Sequence, residues 1–109
     1  MEYLGFGVVT KSNGGLFTVR LVPAGSHLFP GGREPAPLDG REIFTRARGN
    51  LHRRGALLVG DRVRVTYSDE AFRMLPDGTP QSNEDGGSAT VEEIFPRASA
   101  LIRPPMANL

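Results

Sequence analysis

The 109-residue chain has no cysteine, and Lys11 is the single lysine among its 13 basic residues. The lack of cysteine excludes disulfide bonds, thiolate zinc sites and a cysteine nucleophile, and it is typical of a reducing compartment. No apolar run approaches the roughly 18 residues that cross a bilayer, and the N-terminus has no basic segment followed by an apolar one. We therefore expect a cytoplasmic protein that makes no contact with a membrane.

Side chains for catalysis or metal binding also lack the spacing that such chemistry needs. The acidic residues are scattered or adjacent, and neighbours on a strand point to opposite faces, so no general acid–base pair is predicted. His27 and His52 form no metal-binding pattern, and no serine has the context of a hydrolase nucleophile. Residues 55–60 have the Gly-x4-Gly spacing of a phosphate-binding loop, but Asp61 stands where a lysine would meet the phosphates. We expect a turn there, and no catalytic residue in this chain.

Glycine and proline are abundant, with 14 and 9 residues, which predicts many turns and argues against a helical bundle. Five short segments show the alternation of apolar and polar residues that is typical of strands. They are 4–10, 16–22, 41–48, 62–67 and 89–95. They predict an all-β protein with a small barrel, of either the OB or the SH3-like type. Gly5 and Gly7 are the positions where we expect the first strand to coil or bulge, so that it serves both sides of the barrel.

Two long polar segments separate these strands. Residues 23–40 are rich in proline and glycine and predict a mobile loop without secondary structure of its own. Residues 68–88 are again polar and rich in turn-forming residues. The segment 96–109 contains two adjacent prolines and predicts an extended connector.

Positive charge is concentrated in the middle of the chain. The net charge is only +1, yet residues 41–64 contain seven arginines and two acidic residues. Arg46 and Arg48 share the outer face of the third predicted strand with Phe44. Arginine makes bidentate phosphate contacts and stacks on bases, so the cluster favours RNA binding. The alternative is that these arginines only solvate an exposed sheet face.

Two stretches of the sequence resemble a known family. The first is TRARGNLHRRG at 45–55, which runs into LVGDRV at 58–63, and the second is IFPRASALIRPPMAN at 94–108. They are similar to the N-terminal domain of the ribosome small-subunit-dependent GTPase A family, known as RsgA or YjeQ. The second stretch resembles the join between that family's OB domain and its GTPase domain. The loops at 23–40 and 68–88 depart from the family pattern, because they are longer than its connections.

The resemblance implies a five-stranded OB-fold barrel, with an RNA-binding domain at 1–97 and the start of a linker toward a GTPase domain at 98–109. It also implies a full-length parent that is a circularly permuted GTPase, acting late in maturation of the small ribosomal subunit, with its OB domain on ribosomal RNA near the decoding region. GTP and zinc are expected only in other parts of that parent. This sequence contains neither Gly-x4-Gly-Lys-Ser/Thr nor a Cys/His zinc knuckle. We therefore expect no cofactor and no enzymatic activity in the chain itself.

The candidate RNA-binding residues follow from the charge pattern and the resemblance. They are Arg46, Arg48, His52, Arg53 and Arg54, together with Lys11 and Asn13 near the first hairpin turn, where OB folds commonly bind ligands. The expected partners are small-subunit ribosomal RNA, the small subunit itself and the parent's own GTPase domain, and the barrel is expected to be a monomer. Two alternatives remain open. One is a regulatory barrel that packs on its own GTPase domain, and the other is a stand-alone OB protein similar to a bacterial translation initiation factor.

Overall fold

The computed structural model describes residues 1–23, 34–53 and 55–96, and the backbone alone at His52. Within these ranges the chain forms seven strands and two 3-10 helices, with no α-helix. The strands are β1 (Glu2–Asn13), β2 (Leu16–Leu21), β3 (Glu42–Ala47), β4 (Arg62–Ser68), β5 (Phe72–Met74), β6 (Pro80–Ser82) and β7 (Ala89–Ile94). The 3-10 helices are Gly49–His52 and Asp69–Ala71. In the part of the chain thus described, no helix is long and apolar enough to span a membrane.

Five of the strands close into a barrel in the order β1-β2-β3-β7-β4. The contacts are antiparallel except for the pair of β3 and β7, which is parallel. This arrangement confirms the predicted all-β, five-stranded barrel and decides for the OB-type over the SH3-like alternative. β5 and β6 form a separate two-stranded sheet outside the barrel.

β1 closes the barrel because it pairs with a different strand along each half of its length. Residues 2–8 pair with β4, and residues 7–13 pair with β2. Gly7 lies where the two pairings overlap, and a Cβ placed there would stand 2.3 Å from the carbonyl oxygen of Arg20. Gly7 therefore permits the close strand contact, and β1 serves both sides of the barrel, as predicted. The irregularity in register, however, lies between Val9 and Lys11 rather than at the glycines.

The barrel interior is filled by alternate residues of the strands, as the pattern predicts. On β3 the inward side chains are Ile43, Thr45 and Ala47, and on β4 they are Val63, Val65 and Tyr67. The one hydroxyl on β3 is satisfied inside the core, because Thr45 Oγ1 donates to the carbonyl oxygen of Phe17 at 3.0 Å. The outward residues of β3 are not needed to fill the core and are available to contact a ligand.

The segment 34–40 corrects the expectation that residues 23–40 form a mobile loop without structure. Leu38 is completely buried in the core, and its backbone N–H donates to the Tyr67 hydroxyl at 3.1 Å. A turn holds it there, in which the backbone N–H of Ala36 donates to Asp39 Oδ2 at 2.9 Å. A single apolar residue has no periodicity, so the sequence pattern did not reveal this core position. The rest of that predicted loop, residues 24–33, lies outside the described residues.

The segment 68–88 is likewise more ordered than a series of turns. It contains the hairpin of β5 and β6, which is fastened to the barrel where the backbone N–H of Phe44 donates to Ser82 Oγ at 2.9 Å. Asn83 fixes the base of the hairpin, because its backbone N–H donates to the carbonyl oxygen of Ala71 and its side chain donates to that of Glu70. The hairpin thus stands beside the outer face of β3.

The N-terminus is tied to the Asp69–Ala71 helix by a small polar cluster. Tyr3 Oη donates to Asp69 Oδ1 at 2.6 Å, and the Met1 ammonium lies 3.0 Å from Asp69 Oδ2. The Tyr3 hydrogen bond, and after it the ammonium group, lower the pKa of Asp69, and the same Tyr3–Asp69 bond raises the pKa of Tyr3.

This cluster predicts a contribution of Asp69 to acid unfolding. Because the pKa of Asp69 is lower in the folded than in the unfolded chain, its ionised form stabilises the fold above the unfolded value of about 3.9. That contribution is lost as the pH falls through the folded pKa. We expect the free energy of unfolding of D69N to depend less on pH, between about 4 and 2, than that of the unmodified chain. Urea titrations at a series of pH values measure this dependence. E84Q, which removes one exposed carboxylate elsewhere, is the control, and equal slopes for D69N and the unmodified chain would contradict the assignment.

Candidate nucleic-acid interface

The outer face of β1, β2 and β3 brings two of the predicted cations together. Lys11 pairs with Thr18, and Thr18 pairs with Phe44, while in the next outward row Asn13 pairs with Leu16, and Leu16 with Arg46. Paired residues on neighbouring strands share a face and lie about 5 Å apart, so Asn13 and Arg46 are separated by about 10 Å between backbones. We call Lys11, Asn13 and Arg46 the basic face. All three are exposed.

The local sequence explains why this face forms. Gly14 and Gly15 both adopt positive φ, at 59° and 91°, which gives the two-residue turn whose twist matches the paired strands. That turn fixes the register of β1 against β2, and the burial of Ile43, Thr45 and Ala47 forces Arg46 outward. The hairpin and β3 therefore present the two cations without any contribution from the longer loops.

Arg48 is held by a partner inside the protein. Its Nε lies 2.9 Å from Glu92 Oε1, and Glu92 Oε2 accepts a hydrogen bond from Thr66 Oγ1 at 3.2 Å. Glu92 is the extra residue of β7 where its register against β4 shifts, and its side chain is only 13% exposed, against 71% for Arg48. Arg48 therefore neutralises a nearly buried carboxylate. Through Glu92 it links the end of β3 to β7 and β4, in addition to any contact with a ligand.

Of the remaining predicted residues, the structure describes Arg53, which follows β3 at the same end of the barrel as Arg46. Arg53 comes directly after the Gly49–His52 helix and is exposed, and its backbone N–H donates to the carbonyl oxygen of Asn50 at 3.2 Å. The side chain of His52 and all of Arg54 lie outside the described residues, as does His27. The predicted set is thus placed as Lys11, Asn13 and Arg46 on one face, with Arg48 and Arg53 following β3.

The segment 55–61 is a structural turn, as predicted. Asp61 is buried, and its Oδ2 accepts a hydrogen bond from the backbone N–H of Leu58 at 2.9 Å. The turn is joined to β1, because the backbone N–H of Gly60 donates to the carbonyl oxygen of Val9 at 2.8 Å. A carboxylate that occupies the turn in this way does not fit a nucleotide phosphate. Among the described residues, no group of three His, Asp or Glu side chains is placed to hold a metal ion.

A groove of about 740 Å³ lies beside the basic face, between the outer surface of β2 and β3 and the β5–β6 hairpin. Phe44 lines it, together with three arginines that the sequence pattern did not identify as RNA-binding residues: Arg20, Arg41 and Arg73. Arg20 lies 3.8 Å from Glu42 and donates to the carbonyl oxygen of Gly40 at 3.4 Å. Arg73 donates to Gln81 Oε1 at 3.4 Å.

The charge of the groove is positive but partly balanced. Its lining contains three arginines and two glutamates, Glu42 and Glu84. Asp77 lies in the turn of the hairpin, where the backbone N–H of Thr79 lowers the pKa of its carboxyl, with a smaller contribution from Arg41. The alternation of β2 indicated that Arg20 points outward, so the sequence contained a signal for its place on this face. The sequence contained no such signal for Arg73, because its position in the groove depends on a hairpin whose strands have only three residues each.

The closed five-stranded barrel, with a cationic face on its first three strands, defines an OB-fold domain. Among curated proteins, the small ribosomal subunit biogenesis GTPase RsgA of Synechococcus sp. (strain CC9605) is 39% identical to the chain over 75 residues, which are 69% of this chain and 20% of that protein. The chain belongs to the RsgA family and forms its N-terminal OB-fold domain, as the sequence resemblance predicts. The chain spans about a fifth of the length of this relative. No family model and no solved structure matches it.

Proposed function

We propose that the chain is the RNA-binding module of a small-ribosomal-subunit biogenesis GTPase and that it binds small-subunit ribosomal RNA. The observation that carries this proposal is the basic face, because Lys11, Asn13 and Arg46 lie together on the strands and turn with which OB folds bind nucleic acids. The relative's name, which specifies small-subunit biogenesis, supports the choice of ribosomal RNA as the ligand.

The mechanism is electrostatic positioning with hydrogen bonding. Lys11 and Arg46 contact backbone phosphates. The planar guanidinium of Arg46 permits a bidentate pair of hydrogen bonds to one phosphate. The Asn13 amide carries both donors and an acceptor, so it hydrogen-bonds a base or a sugar between these phosphates. Arg53, with His52 and Arg54, extends the contacts along the segment after β3. Arg48 contributes less because Glu92 already engages it.

The activity of the parent protein lies elsewhere in its sequence under this proposal. GTP hydrolysis, with bound GTP and zinc, belongs to parts of the parent outside this OB domain. The domain then acts as a monomeric binding module in the cytoplasm, and the parent's GTPase domain is its second partner. The alternative of a purely regulatory barrel makes a different prediction for the experiment that follows, whereas a stand-alone initiation-factor-like protein is distinguished by a reading frame that does not continue into a GTPase domain.

Sedimentation with ribosomal subunits tests the proposal. We expect the 109-residue chain to pellet with small subunits at low salt and not with large subunits, and to be released as salt rises, because phosphate contacts release counterions. A purely regulatory barrel would pellet with neither subunit while still binding the separated GTPase domain. Absence of small-subunit binding at low salt, or equal binding to both subunits, would contradict the proposal.

A further inference from the structure

We infer that the groove between β3 and the β5–β6 hairpin binds a single-stranded segment of RNA, with one base stacked on Phe44 and the flanking phosphates at Arg41 and Arg73. This inference rests on the proposed function and extends it to a second surface. The relevant residues come partly from the segment 68–88, which contains the β5–β6 hairpin.

The groove continues the basic face without a break. Phe44 and Arg46 are successive outward residues of β3, so their backbones lie about 7 Å apart. Glu42 and its partner Arg20 occupy the next outward row, and the whole series spans about 13 Å of β3. A strand of nucleic acid that contacts Arg46 is therefore led directly into the groove, and OB folds commonly accommodate about 4 to 16 nucleotides.

The lining has the two components of a single-strand site. Phe44 lines the groove and is half-buried, and its backbone N–H donates to Ser82 Oγ of the hairpin. An aromatic side chain in this position provides a stacking surface for a base. Arg41 and Arg73 are exposed and also line the groove, and Arg73 donates to Oε1 of Gln81, whose amide has donors for a base edge. The positive groups and the aromatic ring thus line one groove.

The ligand is single-stranded because the site reads an exposed base. In an RNA duplex the bases remain stacked on one another, and proteins bind its shape through phosphates and 2′-hydroxyls. A groove lined by an aromatic residue, with a hairpin along one side, admits an unstacked base in preference to a helix. The two glutamates of the lining, Glu42 and Glu84, limit its attraction for anions in general.

The lack of tryptophan in the chain gives a direct assay. The F44W variant places a single tryptophan in the groove, and we expect a 12-nucleotide oligouridylate to quench its fluorescence with an affinity close to that of the unmodified chain. V59W is the matched control, because Val59 is 60% exposed and lies in the 55–61 turn, outside the groove. Its fluorescence should not change on addition of the same RNA. A 12-base-pair RNA duplex and inorganic phosphate are the competing probes.

Affinity measurements on variants of the groove are the second test. Loss of one stacked base in F44A is expected to weaken oligouridylate binding by about 5- to 150-fold. F44W, which keeps an aromatic ring in the groove, should restore it, and an unchanged Tm of F44A shows that the loss of affinity does not come from unfolding. R41E/R73E should also weaken binding, whereas R62E/R64E, with the same change in charge on the outer face of β4, should have a smaller effect.

The outcomes separate this inference from the proposed function. If the unmodified chain binds and K11E/R46E weakens binding, but F44A and R41E/R73E leave the affinity unchanged, the groove assignment is wrong and the basic face remains. If phosphate or the duplex quenches F44W as strongly as the single strand, the groove is an anion or duplex site and the inference is overturned. If the unmodified chain binds no RNA, both proposals fail.

Discussion

The G7A variant is expected to lose much of the stability of the fold. The added Cβ would stand 2.3 Å from the carbonyl oxygen of Arg20 and 2.7 Å from Val19 Cγ1, so backbone must move where β1 meets β2. Overpacking typically costs about 1–3 kcal/mol, and a clash with backbone lies at or beyond the upper end. For a domain of about this size, 3 kcal/mol corresponds to a fall in Tm on the order of 15 °C. Thermal unfolding followed by circular dichroism measures the effect.

Two other glycines provide matched controls for this substitution. At Gly87 the nearest atom to a new Cβ is 3.6 Å away, in the side chain of Asp85, so G87A is expected to leave the Tm unchanged or to raise it slightly. At Gly5 the contact of 3.0 Å is with the side chain of Leu21, which has some freedom to move, so G5A should be intermediate. If G7A unfolds at the same temperature as G87A, the close approach at β1 does not limit the barrel.

Reversing the charge of the basic face should have the largest effect on binding. K11E/R46E replaces two cations that lie on one face with two anions. Hydrogen bonds to charged groups contribute about 1.5–3 kcal/mol each, so the loss of two predicts an affinity for small-subunit RNA that is weaker by roughly 100-fold or more. The dependence of affinity on salt should also become shallower, because each lost phosphate contact removes about 0.7 from the slope for a single strand. Fluorescence anisotropy with a labelled RNA measures both.

A variant of equal charge on another face distinguishes contact from net charge. R62E/R64E changes two arginines on the outer face of β4, and thus makes the same change in total charge away from β2 and β3. We expect it to reduce affinity much less than K11E/R46E, with each protein's fold checked by its Tm. Equal losses for the two variants would mean that RNA responds only to the overall charge of the domain.

The sequence predicted the fold where burial repeats along a strand. Alternation on β3 and β4 identified the inward residues, and the Asn13-Gly14-Gly15 turn identified the first hairpin. It missed Leu38, because one buried residue in a loop rich in proline and glycine has no period, and it missed β5 and β6, because three residues are too few to show alternation. The position of the irregularity in β1 depends on its two partners, and neither partner is visible in the local sequence.

The candidate site was predictable to the extent that it depends on single strands. The outward direction of Arg46 follows from the alternation of β3, whereas its position across from Asn13 required the register of three strands. The ion pair of Arg48 with Glu92 depends on the shifted register of β7 against β4, far along the chain. The groove likewise depends on contacts between distant parts of the chain, because Arg20 and Arg73 line it together only when the hairpin packs beside β3.

Amide chemical shifts of the isotope-labelled chain during titration with small-subunit RNA test the central claim most directly. We predict that the shifts change along the β1–β2 turn and the outer residues of β2 and β3, including Lys11, Asn13 and Arg46, and stay constant along β4 at Arg62 and Arg64. Changes confined to β4, or no changes at RNA concentrations that saturate binding in the anisotropy assay, would contradict the assignment of RNA binding to this face.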